Sequence, residues 1–355
     1  KAERTLFAVS QKFIKKTFTS VRHVLSDAFE RIDQLHKDRG QLRGISTGFG
    51  DLDNILGGLQ KSDLVILAAR PSVGKTSLAL DMARAAALRG KVPVGLFSLE
   101  MSKEQLVDRL ICAEANVDLW KLRTGRLSDR DDDFPRIGQA LGTLSEAPIF
   151  IDDTPGANVM EIRTKARRLQ TEHGLGLIVI DYIQLMESRT RSDNRVQEMS
   201  EITRALKGIA RELDVPVLAL SQLNRAVEMN KPAIPRLAHL RESGSIEQDA
   251  DVVMFIYRKA ADKNYAIEDL APEERNLAEI HISKHRNGPT GVVKVLFQKT
   301  CACFRNLDKR RSGPSSSGAG RPPAPESGPQ GDAPPSDAPP PPPPVGAVDT
   351  KEVPF

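Results

Sequence analysis

One string in the first quarter of the chain combines the residue types that bind nucleotide phosphates. It is Ala69-Arg70-Pro71-Ser72-Val73-Gly74-Lys75-Thr76, and it lies between an apolar run at 64–69 and a segment with helical apolar spacing at 77–88. In a strand, tight loop and helix of this order, backbone N–H groups face the phosphates, a lysine adds charge near the β- and γ-phosphates, and a hydroxyl binds Mg²⁺. The string therefore predicts a site for a nucleoside triphosphate with magnesium.

The usual pattern has glycine at the position of Ala69, so the string alone also fits an ordinary strand, turn and helix with an incidental lysine. Under the phosphate interpretation, Lys75 is a catalytic residue and Thr76 is a magnesium ligand. The predicted nucleotide-binding residues are Arg70, Pro71, Ser72, Val73, Gly74, Lys75, Thr76 and Ser77.

Two acidic residues at predicted strand ends supply further groups that a triphosphatase needs. Asp181 ends the apolar run at 177–181 and is the expected second anchor for magnesium, with a strand that simply finishes in a turn as the alternative. Glu100 follows the run at 94–99 and is expected to activate the attacking water. The alternative for Glu100 is that it caps a helix beginning near Ser102.

Gln222 follows a third predicted strand and presents an uncharged amide. The carboxyl ends of parallel strands form the ligand crevice of an open α/β sheet, so this amide is expected beside the phosphates. There it would detect the γ-phosphate and move the next segment after hydrolysis. A polar strand end exposed to water is the alternative.

Short apolar runs alternate with helix-period segments between residues 45 and 298, which predicts an α/β fold with a mostly parallel sheet flanked by helices. The predicted strands are 64–69, 92–99, 148–152, 177–181, 215–221, 251–257, 277–283 and 292–298. The predicted helices include 77–88, 103–115, 159–173 and 195–213. The last two strands flank Asn287-Gly288-Pro289, a strong turn signal, so a C-terminal β-hairpin is expected to hold Lys284, His285 and Arg286 at its base or tip.

Composition favours a soluble intracellular protein with one large domain or two smaller ones. The formal net charge of +4 does not by itself argue for nucleic acid, and a solvated basic helix explains the basic excess at 1–50. Cys112, Cys301 and Cys303 lack zinc-ligand spacing. No run approaches about 18 uninterrupted apolar residues, and no signal-peptide core follows the N-terminus. We therefore expect a cytoplasmic protein without a membrane partner.

Three segments are predicted along the chain. Residues 1–44 form a basic N-terminal segment with a linker helix from Ser20, whose apolar stripe packs on its own core or on a neighbouring subunit. Residues 45–308 form the ATPase domain. Residues 309–355 form a proline-rich tail that is expected to be disordered. The start at Lys1 instead of Met is compatible with a fragment of a longer protein.

Six strings are specific enough to resemble one family. They lie at 69–76, 98–102, 181–186, 221–225, 240–251 and 284–289. In this order they resemble the bacterial replicative DNA helicases of the DnaB type, and the opening segment at 45–59 resembles the start of a RecA-type core. The resemblance spans 17–308 and implies a RecA-like P-loop core. The family's Ala-Arg-Pro opening also accounts for Ala69.

The resemblance implies a role for each candidate side chain. Lys75, Thr76 and Asp181 would hold ATP with Mg²⁺, Glu100 would activate water and Gln222 would report the nucleotide state. Lys284 and Arg286 are implied catalytic residues that reach the ATP of the adjacent subunit in a homo-hexameric ring, where an arginine supplied in trans is worth about 10³ to 10⁵ in rate.

The segment at 241–244 resembles the loop that lines the family's central channel and grips one DNA strand. An arginine and exposed backbone amides suit phosphate oxygens, and the acidic residue between them would position basic side chains. The implied DNA-binding residues are Arg241, Glu242, Gly244, Arg195 and Arg225.

Two features depart from the family. Its helical N-terminal domain, which organises the ring and contacts primase, has no room before the linker helix, so ring assembly is expected to be weakened or the domain lost. The tail ends in Val353-Pro354-Phe355, which is similar to the tip of bacterial single-stranded DNA-binding proteins. Docking in a pocket for that tip and a plain solvated terminus are the two interpretations.

Taken together, the sequence predicts an ATP-dependent replicative helicase motor that translocates on single-stranded DNA and unwinds duplex at the fork. The expected partners are single-stranded DNA, forked duplex, further copies of the chain, primase, a helicase loader and replisome proteins. Two alternatives stay open: a RecA-type recombination or repair ATPase without processive unwinding, and a nucleotide-binding assembly module that does not translocate.

Overall fold

The fold is built on a sheet whose strands follow the apolar runs of the sequence. The computed structural model describes residues 42–187 and 195–307, together with positions 20–22, 25, 28–30 and 33. The strands are β1 (Leu64–Ala69), β2 (Val94–Ser98), β3 (Ile149–Asp152), β4 (Leu177–Asp181), β5 (Val217–Gln222), β6 (Val252–Tyr257), β7 (Leu277–His285), β8 (Gly291–Gln298) and β9 (Cys303–Asn306).

These strands form one nine-stranded sheet in the order β3-β2-β4-β5-β1-β6-β7-β8-β9. The pairs from β3 to β6 are parallel, and the pairs from β6 to β9 are antiparallel. Every residue of β1 and of β4 is buried, which explains why both read as continuous apolar runs: helices cover both sheet faces.

Nine α-helices lie within residues 42–187 and 195–307 and surround the sheet. They are α1 (Gly50–Leu56), α2 (Lys75–Gly90), α3 (Lys103–Ala115), α4 (Leu119–Thr124), α5 (Asp133–Ser145), α6 (Val159–His173), α7 (Arg195–Leu213), α8 (Gly244–Asp249) and α9 (Pro272–Arg275). Buried residues of α2 and α3 share one core cluster with Leu67, and those of α6 and α7 share the other with Ile66. The alternating side chains of β1 therefore face the two helical layers in turn.

The predicted α/β fold with a mostly parallel sheet, flanking helices and a C-terminal hairpin is confirmed. The bounds of α3, α6 and α7 coincide with the prediction, and α2 begins two residues earlier, directly after Gly74. α5 was not predicted, because Pro135, Gly138 and Gly142 are weak helix formers. Packing compensates, since Ala140 is buried against Ala115 and Val117 at the end of α3.

The expected loop at 241–244 is wrong in its local structure. A 3-10 helix covers Leu237–Ser243, and α8 begins at Gly244. Leu240 and Ile246 are both buried, so the core fixes the chain on either side of the segment that the resemblance implied to be a loop.

The chain ends contain predictions that the structure describes only in part. Described positions between 21 and 33 are helical, and Val21, Leu25 and Phe29 are exposed. The described residues belong to one unit, Lys1–Leu307. The proline-rich tail with its Val353-Pro354-Phe355 end lies outside the described residues. No helix within the described ranges is long and apolar enough to cross a bilayer.

Candidate nucleotide site and C-terminal hairpin

The phosphate loop, residues 69–76, connects β1 to α2 and exposes backbone donors at the helix N-terminus. Ser72 has φ +64°, and Gly74, the N-cap of α2, has φ +112° and makes no side-chain cap. The first N–H groups of α2 are thus left for an anion. A Cβ atom at Gly74 would lie 2.9 Å from Cζ of Phe304, so both the backbone conformation and the close approach require glycine.

A cavity of about 440 Å³ opens above this loop and brings together residues from several strand ends. Glu100 follows β2, Gln222 ends β5, and the loop follows β1, as the crevice argument predicted. The remaining lining residues were not predicted: Met101, Arg109, Phe297 and Ala302.

Asp181 lies beneath the loop and is buried at the end of β4. The Thr76 hydroxyl donates a hydrogen bond of 2.6 Å to its Oδ2 atom, and Lys75 Nζ lies 3.4 Å from Oδ1. Oδ1 is buried and accepts no hydrogen bond. A carboxylate oxygen with unused acceptor capacity beside a hydroxyl is a donor set that fits Mg²⁺. The structure thereby places the two predicted metal ligands, Thr76 and Asp181, in contact.

Lys75 is held in the same buried environment. Its ammonium lies 4.2 Å from the centre of the Tyr182 ring. Burial lowers the pKa of Lys75, while the charges of Asp181 and Glu100 oppose that shift. The ammonium is therefore partly desolvated, which strengthens its interaction with a phosphate.

Glu100 is exposed and lies two residues beyond β2, where its carboxylate faces the cavity. The alternative role of Glu100 as a helix cap is wrong, because Ser102 occupies the N-cap of α3. Gln222 is also exposed, and its backbone is fixed by Gln184. The Gln184 side chain accepts the Gln222 N–H at 3.2 Å and donates to the Gln222 carbonyl at 3.1 Å.

Arg109 on α3 is a cavity residue that sequence reasoning missed. Its Nη1 atom donates to Ser77 Oγ at 3.4 Å, and burial lowers the pKa of Arg109 while Asp181 and Glu100 oppose that shift. The sequence carried a signal, since a basic residue at 109 interrupts the buried stripe that includes Leu106.

The Arg70 side chain makes two hydrogen bonds to residues that follow β5. Its Nε atom donates to Glu228 Oε1 at 2.7 Å, and its Nη1 atom donates to the Leu223 carbonyl at 2.7 Å. Arg70 lines the cavity together with the other loop residues, and its guanidinium is bound to the segment after β5. Its role in nucleotide binding stays a prediction.

The hairpin cations, Lys284 and Arg286, lie far from the phosphate loop of their own chain. β7 ends at His285, so Arg286 begins the hairpin turn, next to Asp251. Asp251 precedes β6 and its carboxylate accepts the N–H of Leu64, the first residue of β1. The phosphate loop follows the other end of β1. The length of that strand, about 17 Å, therefore separates Arg286 from the phosphate loop.

The predicted DNA-binding residues occupy three places. Arg195 begins α7, pairs with Glu198 at 2.9 Å and donates to the Gln184 carbonyl. Arg225 is exposed at the start of a 3-10 turn after β5. Residues Arg241, Glu242 and Gly244 lie in the helical segment that joins the 3-10 helix to α8. Their role in DNA binding stays a prediction.

A mostly parallel sheet with a phosphate loop after β1, a cavity over that loop and a buried carboxylate at the end of β4 in contact with the loop defines a RecA-like P-loop nucleotide-binding domain. Residues 44–306 match the DnaB-like helicase C terminal domain, and the chain belongs to this family.

The chain is 50% identical over 310 residues to the replicative DNA helicase DnaC of Bacillus subtilis. It is 48% identical over 310 residues to the replicative DNA helicase DnaB of Geobacillus stearothermophilus. Each alignment covers 87% of this chain and 66% of the relative, so the chain spans just under two thirds of these curated relatives.

Two solved structures share the fold. The ATPase domain of G40P matches with a TM-score of 0.76 and 36% identity, covering 82% of this chain and 100% of that one. A DnaB-like replicative helicase, solved in a study of its interactions with primase, matches with a TM-score of 0.73 and 33% identity. That match covers 86% of this chain and 77% of the other.

Proposed function

We propose that this chain is the ATP-driven motor of a replicative DNA helicase, which translocates on single-stranded DNA and separates the duplex at a fork. The observation that carries the proposal is the separation of the two parts of the site. The phosphate loop and Asp181 lie at one edge of the sheet, whereas Arg286 lies at the other, beside Asp251. A ring in which each subunit completes its neighbour's site accounts for this arrangement.

Five residues in and next to the cavity would act in ATP hydrolysis. Thr76 and Asp181 would hold Mg²⁺, which when bound neutralises charge on the β- and γ-phosphates. Lys75 and the N-terminus of α2 bind the phosphate oxygens. Glu100 orients the attacking water and accepts its proton. Arg109 places a partly desolvated positive charge where negative charge develops.

Gln222 would couple the nucleotide to the DNA-binding residues. Its backbone is bonded to the side chain of Gln184, and the Gln184 carbonyl accepts a hydrogen bond from Arg195. If the end of β5 shifts when the γ-phosphate is lost, the contacts of Gln222 with Gln184 and of Gln184 with Arg195 would move Arg195, a predicted DNA-binding residue.

The proposed assembly is a homo-hexamer. Val21, Leu25 and Phe29 expose an apolar stripe on the N-terminal helix, and burial against a neighbouring subunit would remove it from water. Single-stranded and forked DNA, primase, a loader and other replisome proteins are the proposed partners, and the cytoplasm is the proposed location.

The proposal is tested by ATP turnover with and without single-stranded DNA. We expect DNA to stimulate wild-type turnover and Lys75→Ala to abolish it, because the desolvated ammonium at the phosphates is lost. Lys61→Ala is the matched control, since the Lys61 side chain is 75% exposed and contacts only a surface carboxylate, at 3.7 Å. Turnover that DNA does not stimulate would favour the assembly module instead.

A further inference from the structure

Asp251 is a buried residue that binds Arg286 of the hairpin through both its carboxylate and its main-chain carbonyl. Arg286 Nη1 donates to Asp251 Oδ1 at 3.0 Å, and the Arg286 backbone N–H donates to the Asp251 carbonyl at 2.8 Å. The Asp251 side chain is 3% exposed. The main chain and the guanidinium of Arg286 are therefore fixed on one residue.

Asp251 is itself held by two rigid elements. Its Oδ2 atom accepts the Leu64 N–H of β1 at 2.8 Å and binds the ammonium of Lys207 on α7. Lys207 also donates to the Ser62 carbonyl at 2.7 Å. A group oriented by packed strands and helices holds its partner more precisely than a loop residue does.

The anchored guanidinium still faces outward. Half of the Arg286 side chain, 51%, is exposed at the sheet edge. A guanidinium has five N–H donors, so one bond to Asp251 and a second, 3.5 Å contact to the Gln248 carbonyl leave donor capacity for a phosphate. The Arg286 guanidinium is therefore held in place by Asp251 and is still accessible to a ligand.

The other hairpin cation, Lys284, contacts the helix that follows the segment proposed to bind DNA. Lys284 Nζ donates to the Glu247 carbonyl at 2.5 Å and to the Gln248 carbonyl at 3.3 Å, and both residues lie at the C-terminal end of α8. α8 begins at Gly244, within the predicted DNA-binding stretch. Both hairpin cations are thus positioned by residues that follow this stretch directly.

We propose that Asp251 is the positioning residue for Arg286. Asp251 holds the Arg286 guanidinium in the position from which this arginine completes the ATP site of the neighbouring subunit. α8 connects the hairpin cations to bound DNA. This inference rests on the proposed function, because it concerns the same trans-acting arginine.

The first test compares Asp251→Asn with Lys207→Gln in the assembled ring on DNA. Both substitutions remove the Lys207–Asp251 ion pair, but only Asp251→Asn changes the carboxylate that binds Arg286. We expect Asp251→Asn to lower kcat by about 10- to 100-fold with KM within about twofold, because a misplaced catalytic group costs rate and not ground-state binding. Lys207→Gln is expected to lower kcat much less than Asp251→Asn does, because Asp251 keeps its carboxylate for Arg286 and its bond to the Leu64 N–H. Asp251→Glu keeps the charge but displaces the guanidinium, so it must also lower kcat and carries the test if the Asn variant does not assemble.

The second test mixes Asp251→Asn subunits with Lys75→Ala subunits, each poorly active alone. Lys75→Ala subunits keep a positioned Arg286, and Asp251→Asn subunits keep an intact phosphate loop. Equal mixing should restore roughly a quarter of wild-type turnover if interfaces act independently. A silent mixture, or an equal kcat loss in Lys207→Gln, overturns the inference while the helicase proposal stands. A wild-type ring without DNA-stimulated turnover overturns the proposed function, and this inference with it.

Discussion

The Asp181 carboxylate contacts two side chains of the phosphate loop, the ammonium of Lys75 and the hydroxyl of Thr76. It binds Thr76 through one oxygen and lies 3.4 Å from Lys75 through the other, at a buried strand end. Before a nucleotide arrives, these contacts offset part of the cost of burying the carboxylate. Under the proposed function, the same two oxygen-bearing side chains would be the protein ligands of Mg²⁺. The contact between Thr76 and Asp181 already keeps these two proposed ligands close together.

Replacement of Thr76 tests this arrangement at the residue scale. Thr76→Val keeps the shape but removes the hydroxyl, so the free energy of unfolding of the nucleotide-free protein should fall by about 1–3 kcal/mol, the cost of an unsatisfied buried acceptor. ATP turnover should fall about 100-fold or more, because the metal loses a ligand. Thr76→Ser is the control and should retain both properties. Denaturant unfolding and steady-state turnover measure them, and equal behaviour of the Val and Ser variants would contradict the account.

Residue types and strand ends were sufficient to predict that Lys75, Thr76, Glu100 and Gln222 line one cavity and that Asp181 lies close by, in contact with Thr76. That prediction succeeded because parallel strands end at a common edge, which sequence order alone implies once the strands are recognised.

Arg109 and Gln184 could not be found in that way. Their contacts join side chains from different elements, at 3.4 Å to Ser77 and 2.9 Å to Ser221, and depend on how a helix and a turn pack. The direction of the Arg70 guanidinium, toward Glu228, depends on tertiary structure for the same reason.

At the scale of elements, the phosphate loop depends on the unpredicted strand β9. Phe304 on β9 packs against Gly74, and its backbone N–H donates to Asp81 of α2 at 2.6 Å. β9 is four residues long and follows a tight turn with Ala302 at φ +47°, so it leaves a weak pattern in the sequence. Its place at the sheet edge is set by pairing with β8.

Gly74→Ala tests this packing. The left-handed backbone alone should cost about 1–2 kcal/mol in the free energy of unfolding, and the contact with Phe304 adds to that cost. ATP affinity should fall as well, because the loop must shift. Gly138→Ala is the matched control, since a Cβ there meets nothing within 4 Å on a helix. It should raise stability by about 0.5–1 kcal/mol. Unchanged thermal unfolding and ATP affinity in Gly74→Ala would refute the argument.

The 3-10 helix before α8 contains a titratable contact. His239 Nδ1 accepts the Arg236 N–H at 2.8 Å, which only an unprotonated nitrogen can do. Burial, with the Arg236 charge, lowers the pKa of His239 below its usual 6.5. The His239 imidazole therefore binds a proton more readily in the unfolded chain than in the folded one. Its contribution to the free energy of unfolding is present in full above about pH 6.5 and is lost as the pH falls through the lower pKa of the folded protein.

His239→Gln should remove this part of the pH dependence, because an amide oxygen accepts the same hydrogen bond without titrating. The free energy of unfolding, measured between pH 5 and 8, should therefore decrease less toward acid in the variant than in the wild type. Parallel curves for the two proteins would show that His239 does not contribute.

At the scale of the whole molecule, the N-terminal helix gives the clearest sign of a partner. Val21, Leu25 and Phe29 are 72%, 62% and 73% exposed, although they recur at helical spacing. Periodicity predicted the helix, but sequence alone left open whether the stripe packs on its own core or on a neighbour. The exposure of the three described apolar positions favours the neighbour.

If the proposed hexamer forms through this stripe, Leu25→Glu combined with Phe29→Glu should shift it toward smaller assemblies, because two charges would have to be buried in the interface. Glu30→Gln is the control on the same helix, where the side chain is exposed and polar. Native mass spectrometry of the three proteins gives the distribution of assemblies. An unchanged hexamer fraction in the double variant would place the stripe outside the ring contacts.

Unwinding of a forked duplex by mixed rings tests the central claim most directly. Wild-type subunits are mixed with increasing fractions of Arg286→Ala subunits, and strand separation with ATP and Mg²⁺ is followed. Wild-type rings should separate the strands, and the rate should fall with the variant fraction to near zero, because each Arg286→Ala subunit disables its neighbour's site. Rings of Arg286→Ala alone that unwind at the wild-type rate, or wild-type rings that hydrolyse ATP without separating the strands, would contradict the account.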